Sequence, residues 1–293
     1  MNGADRPGTL PPEFADALAR RAGRLGDLGA RVAWYDSVSS TNDVADRLAM
    51  GGAAHGMVVA ADEQRGGRGR MGRAWHSPRG AGLYVSVVLK PASVAGAVER
   101  DTTSAAGRVT LTAGVAVADA LRASTGLPAA IKWPNDLVVE RRKVCGILAE
   151  GSATGGTLRH VILGFGVNVL ASAYPPEIAD RATSIETELG RAVDRGAVFA
   201  ESLACLAERL RQISSGGFAA VLDDWRRLSP SSAGAHVQVQ VAGGWIDAVT
   251  AGLDPDGALL VRAEGSLRRV IAGEVRWNAP AGRGREESHA PRA

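Results

Sequence analysis

Eleven residues, Arg65–Trp75, hold four arginines and four glycines in the stretch RGGRGRMGRAW. Glycine lets a backbone wrap closely around a ligand, and guanidinium groups neutralise phosphate or carboxylate in a fixed fork geometry. A segment of this kind suits the clamping of an anion in a cleft. The string alone is no motif, because GRGR recurs at Gly282–Arg285, in a C-terminal tail with no strand or apolar run beyond it. The spacing Gly67-x4-Gly72 is that of a phosphate-binding P-loop, but Arg73 and Ala74 stand where a lysine and a magnesium-binding hydroxyl are required. Two further alternatives are an arginine–glycine segment that binds RNA and a plain surface turn. Segments of the RNA-binding kind sit in disordered regions, whereas this one is bracketed by two predicted strands, MVVAA at 57–61 and LYVSVVL at 83–89.

Three more stretches carry chemistry. KWPND (132–136) sets Lys132, an aromatic ring, Asn135 and Asp136 around a proline-fixed turn between strands; alone, it reads equally as an ordinary polar turn. Lys143 opens the largely apolar strand KVCGILAE, where an ammonium belongs either in a cavity or at a solvated strand edge. GFGVN (164–168) ends a strand with two glycines and Asn168, and it is not a dinucleotide fingerprint, since Val169 and the following ASAYPP cannot open a helix. Of 34 basic residues only Lys90, Lys132 and Lys143 are lysines. Genome composition explains the general scarcity. A lysine retained against that bias marks a position where a planar guanidinium does not replace a compact ammonium.

The elements that must position these groups read as a mixture of strands and helices. SSTND (39–43) is a helix start, with Val44, Ala45, Leu48 and Ala49 as its apolar stripe and Gly51-Gly52 as its stop. Residues 109–124 suit a buried helix, and short strands IKW, LVVE, KVCGILAE and HVILGF follow between 131 and 165. Phe199, Leu203, Leu206 and Leu210 mark one face of a long helix; Phe218, Leu222, Trp225 and Leu228 mark a second. After SPSSAG the pattern changes to consecutive short strands, HVQVQV, WIDAVTAGL, ALLVRA and RRVIAGEVRW, with DPDG (254–257) as a hairpin turn. This predicts an α/β (α+β) body with a mixed central sheet and a small appended β-barrel. The expected divisions are a tail and short helix at 1–30, a catalytic domain at 31–230, a barrel at 231–278 and a tail at 279–293, with 1–12 loose.

In this order, SSTN, EQRGGRGRMGRAW, KWPND, RKVCGILAE and GFGVNV resemble the biotin–protein ligase family over about residues 34–170, and the terminal barrel fits the same family over about 234–277. The related lipoate and octanoyl transferases share the fold and are expected to lack the glycine-arginine loop. The resemblance implies a class II synthetase-like catalytic domain with an SH3-like barrel, and a two-step reaction. Biotin is activated by ATP to biotinyl-5′-adenylate and passed to a lysine of a biotin carboxyl carrier domain. It further implies biotin contacts from Ser40, Thr41, Asn42, Gln64, Arg68, Gly69, Arg70 and Lys143, although Asn42 is equally placed to cap its helix. Nucleotide contacts fall to Arg70, Arg73, Trp75, Lys132, Asn135, Asp136 and Asn168, with Trp75 either covering the nucleotide or packing under the loop. Lys143 and Arg70 carry the catalytic charge. Mg2+ is expected to ride on the ATP phosphates, with Asp136 the one protein ligand considered. His76 and Cys145 receive no chemistry.

Other features narrow the class. No run of 18 apolar residues and no signal pattern is present, and the two cysteines, Cys145 and Cys205, lie far apart in apolar segments. That predicts a cytoplasmic protein with no membrane partner. A formal net charge of +3 is weak support for nucleic-acid binding. About 30 residues precede the first predicted strand, RVAWYDS, and LPPEFADALARRAGRLGDLG offers one helix where a DNA-reading domain needs three. A monofunctional enzyme without specific DNA binding is expected.

Overall fold

A computed structural model describes residues 6–91, 102–241, 244–271 and 273–277. The second GRGR therefore lies outside the described residues. The described chain divides into two units, one reaching Pro230 and including Pro255–Gly257, the other formed by Ser231–Asp254 and the residues from Ala258 onward.

The first unit is built on a seven-stranded mixed sheet. Its strands are β1 (Val32–Tyr35), β2 (Val58–Ala61), β3 (Gly82–Leu89), β4 (Ala130–Lys132), β5 (Asp136–Val139), β6 (Arg142–Thr154) and β7 (Thr157–Asn168). They lie in the order β1-β2-β3-β7-β6-β5-β4. β1 and β2 run parallel and every other neighbour is antiparallel. The helices are α1 (Pro12–Leu25), α2 (Thr41–Met50), α3 (Thr102–Thr125), α4 (Ile185–Leu189), α5 (Arg195–Ser214) and α6 (Phe218–Leu228). α2 buries Val44, Ala45 and Ala49 against Val59, Val88 and Ile162 of the sheet. α3 packs on β6 and β7, and against α5 and α6. Its many fully buried alanines and valines allow that close approach. Among the described residues no helix is long and apolar enough to cross a membrane.

The N-terminal segment departs from expectation. Described residues of the supposed loose stretch are held: the Gly8 amide donates to the Trp34 carbonyl at 2.8 Å. Phe14 of α1 is fully buried, its ring centroid 4.8 Å from Trp34 and 5.3 Å from Phe199. Arg21 and Arg24 both meet the buried Glu201 of α5 at 2.6 Å. Burial alone would raise the Glu201 carboxyl, but hydrogen bonds from these two guanidinium groups outweigh it and hold the group below the usual carboxylate range. α1 is thus an integral wall of the first unit.

The second unit is a five-stranded antiparallel sheet of β8 (Ala233–Val241), β9 (Gly244–Leu253), β10 (Leu259–Ala263), β11 (Ser266–Val270) and β12 (Val275–Trp277), in the order β11-β10-β9-β8-β12. RRVIAGEVRW, expected as one strand, supplies both edge strands. Gly273, at φ 134°, helps turn the chain between them.

Candidate active site

The site is a cleft on one face of the first unit's sheet. It opens to solvent, and its floor is made by β3, β7 and β6. Two rows of paired residues cross that floor: Ser86–Gly164–Leu148, then Tyr84–Gly166–Gly146. The rows are two residues apart along each strand, about 7 Å.

The first row carries uncharged polar groups. Gln64 Oε1 accepts from the Thr41 backbone N–H at 2.8 Å and from Thr41 Oγ1 at 3.0 Å, while Gln64 Nε2 donates to Ser77 Oγ at 2.9 Å. Ser86 Oγ lies 2.8 Å from Thr41 Oγ1 and 2.6 Å from Asn42 Oδ1. Asn42 Nδ2 donates to Glu150 Oε2 at 2.6 Å. Ser40 is the N-cap of α2 but makes no side-chain capping bond, and like Thr41 and Asn42 it lines the cleft. Asn42 therefore belongs to the pocket and is not a cap. Asn42 can lie on the sheet only because position 164 lacks a side chain: a Cβ there would stand 2.2 Å from Asn42 Oδ1.

The second row is the cationic part. The Trp75 indole lies against Gly166, whose Cβ would fall 2.4 Å from Nε1, and the Lys143 ammonium stands 5.2 Å from the indole ring centroid. The indole thus lines the cleft beside Lys143, a placement that fits either role expected of it. Lys143 reaches the cleft through a bulge. Leu137 pairs with Cys145 and the next β5 residue, Val138, pairs with Lys143, so Val144 is an extra residue on β6. Strict alternation would set Lys143 on the face opposite Gly146. The bulge brings its Nζ within 3.1 Å of the Gly146 Cβ position, on the cleft side. Nζ is also 2.5 Å from Asp136 Oδ1.

The glycine-arginine loop is folded as a small hairpin. The Trp75 N–H donates to the Gly67 carbonyl at 2.8 Å and the Gly69 N–H to the Arg73 carbonyl at 2.7 Å. Met71 and Gly72 turn its tip at φ 57° and 71°. Arg68 points to the first row, with Nη2 2.7 Å from Asp43 Oδ1 and 3.7 Å from Glu150 Oε2. The hydrogen bond to Asp43 outweighs partial burial and pushes the guanidinium's pKa up. Arg70 Nη1 donates to Asn135 Oδ1 at 3.4 Å, and Asn135 Nδ2 donates to the Ile147 carbonyl at 2.8 Å, fixing the KWPND turn to β6.

The sequence-predicted residues thus divide. Ser40, Thr41, Asn42, Gln64, Arg68, Gly69, Trp75, Asn135 and Lys143 line the cleft together. Arg70 and Asp136 adjoin it through Asn135 and Lys143. Arg73 lies at the loop tip, and Lys132 pairs with Asp136 across the turn. Asn168 does not join them: it is 3% exposed and its amide donates to the Thr183 carbonyl at 2.9 Å, bracing the end of β7. Sequence reasoning missed Asp43, Glu150, Ser77 and Ser86. The signals were the lone serine within LYVSVVL and the carboxylate closing KVCGILAE.

A sequence profile described as the Biotin/lipoate A/B protein ligase family matches residues 34–168. The chain is 32% identical over 267 residues to the bifunctional ligase/repressor BirA of Bacillus spizizenii, covering 90% of this chain and 79% of that protein. It is 31% identical over 292 residues to the biotin--[acetyl-CoA-carboxylase] ligase of Mycobacterium tuberculosis, covering 92% and 98%. The chain belongs to the biotin/lipoate A/B protein ligase family. Within that family, a solved structure of biotin protein ligase from Aquifex aeolicus in complex with biotin and ATP is similar at 29% identity, with TM-score 0.72, over 85% of this chain and all of that one. The family relationship also accounts for the mixed sheet with a separate antiparallel sheet after it.

Proposed function

We propose that the chain is a biotin–protein ligase whose two half-reactions both occur in the cleft on β3, β7 and β6. The observation that carries this reading is the division of one continuous floor. Its first row offers neutral donors and acceptors that match a ureido ring, and its second, about 7 Å on, offers an ammonium where an acid chain would end. A neutral ring held by hydroxyl and amide groups is discriminated strongly, because an analogue without the matching polar atoms leaves buried groups unpaired.

In the first step a biotin carboxylate oxygen attacks the α-phosphorus of ATP. The bond from that phosphorus to the bridging oxygen breaks, and pyrophosphate leaves with the electron pair. Lys143 and Arg70 lower the repulsion between the two anions and stabilise charge on the α-phosphate. Lys143 does so as a cation and exchanges no proton. Asn135 and Asp136 form the turn beside which the nucleotide is placed. Among the described residues no three His, Cys, Asp or Glu side chains cluster as metal ligands would. A magnesium ion brought by the ATP phosphates would find one hard oxygen donor in Asp136, which suits its habit of keeping waters and phosphate oxygens. It would supply charge neutralisation on the phosphates. In the second step a lysine amine of a carrier domain attacks the acyl carbon, AMP leaves, and the amine loses a proton as the amide forms. The loop over the cleft excludes water from the mixed anhydride between the steps.

The two described cysteines are buried and unpaired, which supports a cytoplasmic setting. The decisive assay is exchange of labelled pyrophosphate into ATP. Exchange that needs biotin is expected; exchange supported by lipoate and indifferent to biotin would move the assignment to the other branch of the family.

A further inference from the structure

Arg68 is the loop arginine nearest the pocket's neutral end, and its partners there are protein carboxylates. Asp43 sits in the first turn of α2, immediately after Asn42, and Glu150 lies on β6. Arg68 Nη2 reaches both, at 2.7 and 3.7 Å. Glu150 Oε2 at the same time accepts from Asn42 Nδ2 at 2.6 Å. One carboxylate oxygen is therefore shared between a pocket side chain and a loop side chain.

We propose that Asp43 and Glu150 are positioning residues that latch the glycine-arginine loop over the cleft through Arg68, and that Glu150, shared with Asn42, couples closure of the loop to the pocket's neutral end. The inference rests on the ligase reading above. The physical logic is that Arg68 Nη2, 2.7 Å from Asp43 Oδ1, is already engaged by the protein at the pocket's neutral end. Charge for the phosphates then comes from Lys143 and Arg70, and Arg68 holds the lid. The three side chains are each 36–45% exposed, so each contact is modest and screened by salt. A lid held this way opens often enough to admit a carrier lysine, yet slows escape of the adenylate.

The test loads wild type, Arg68→Ala, Asp43→Asn, Glu150→Gln and the Arg68→Ala/Asp43→Asn double variant with biotin and ATP. It removes free ligand and times the appearance of free biotinyl-adenylate by mass spectrometry at low and high salt. The Glu150→Gln amide retains an acceptor for Asn42 but loses the charge that attracts Arg68. Release is expected to quicken about two- to fivefold for either carboxylate variant, as loss of one exposed ion pair allows. Salt should accelerate release from wild type and have much less effect on the variants, a readout that general loosening of the fold would not move. The double variant should match Arg68→Ala. Pyrophosphate exchange in the same preparations reports separately on the ligase reading, and Asp43→Asn should retain it. Leakage from Arg68→Ala alone, with both carboxylate variants releasing at the wild-type rate and wild-type salt dependence, overturns the latch and gives Arg68 to the ligand. Absence of any biotin-dependent exchange in wild type overturns the ligase reading and the latch with it.

Discussion

Replacing Gly164 by alanine adds one methyl group at the most crowded point of the cleft floor. The new carbon would stand 2.2 Å from Asn42 Oδ1 and 3.0 Å from its Cγ, both far inside van der Waals contact. Asn42 is 5% exposed and packed on the sheet, so its amide must lift into the cleft. It then loses the contact to Ser86 at 2.6 Å and the bond to Glu150 at 2.6 Å. A neutral hydrogen bond is worth about 0.5–1.5 kcal/mol and one to a carboxylate about 1.5–3 kcal/mol, so about 2–4 kcal/mol of pocket organisation is at stake. At 1.4 kcal/mol per tenfold, that is a rise of about 30- to 1,000-fold in the biotin KM if the whole loss falls on binding. The ATP KM should change little, because Lys143 and Asn135 belong to the other row and to the turn beyond it. The assay is pyrophosphate exchange, with biotin varied at saturating ATP and then the converse, alongside a thermal melt to show that the fold persists. A folded Gly164→Ala protein with the wild-type biotin KM, or one in which the ATP KM rises equally, would refute the placement of the ureido ring at the first row.

Lys143→Ala should lower the adenylation rate by about 100-fold or more, as removal of a preorganised charge at the reacting centre does. Lys143→Arg should recover only part of it, and transfer from added biotinyl-adenylate should suffer less than adenylation in both; wild-type exchange in Lys143→Ala would remove the residue from the mechanism. Gly166→Ala should destabilise by about 1–3 kcal/mol through overpacking against Trp75, and a melt of Gly166→Ala in a Trp75→Ala background should show no further loss; an equal loss in both backgrounds would mean that the indole is not what the methyl strikes. Glu201 gives a pH dependence: its folded pKa is depressed, so its contribution is present above the unfolded value of about 4.3 and is lost as pH falls through the lower folded value. The wild-type melting temperature should therefore drop on acidification below about pH 4 more steeply than that of Glu201→Gln, and parallel profiles would count against the Arg21–Glu201–Arg24 pairing as its source.

Much of this was legible in the sequence because it is local. The helix opened by SSTND runs from Thr41 to Met50, and the strands around the arginine loop fall where their apolar runs predicted. Ser40, Thr41 and Gln64 could be named through the family resemblance of the motifs that hold them, and the structure joins Thr41 to Gln64 through Gln64 Oε1. What was not legible depends on pairing across the sheet. The apolar run around Lys143 suggested a cavity, but the bulge at Val144 that turns it onto the cleft face exists only in the register of β6 against β5. The glycines of GFGVN looked like a failed nucleotide fingerprint; only β7 lying beside β6 and β3 shows that they clear space for Asn42 and Trp75. Asn168, in the same motif, is drawn away by the Thr183 carbonyl, a partner 15 residues on. Asp43 and Glu150 stood in quoted motifs, and nothing short of tertiary structure brings both to Arg68. The N-terminal helix was read only as a short helix in a tail region, since its ion pairs with Glu201 span 177–180 residues of sequence and leave no local signal.

The central claim is that one floor, two glycine-bearing rows wide, holds the ring of biotin at one row and its activated carboxyl at the other. The most direct measurement is a crystal structure of the protein with a non-hydrolysable biotinyl-adenylate analogue. The ureido oxygen and nitrogens should lie within hydrogen-bond reach of Ser40, Thr41, Asn42 or Gln64, the phosphate beside Lys143 Nζ, and the arginine loop closed above with Arg68 still on Asp43 and Glu150. An analogue bound with its phosphate at the Thr41–Gln64 end, or outside the cleft altogether, would contradict the account.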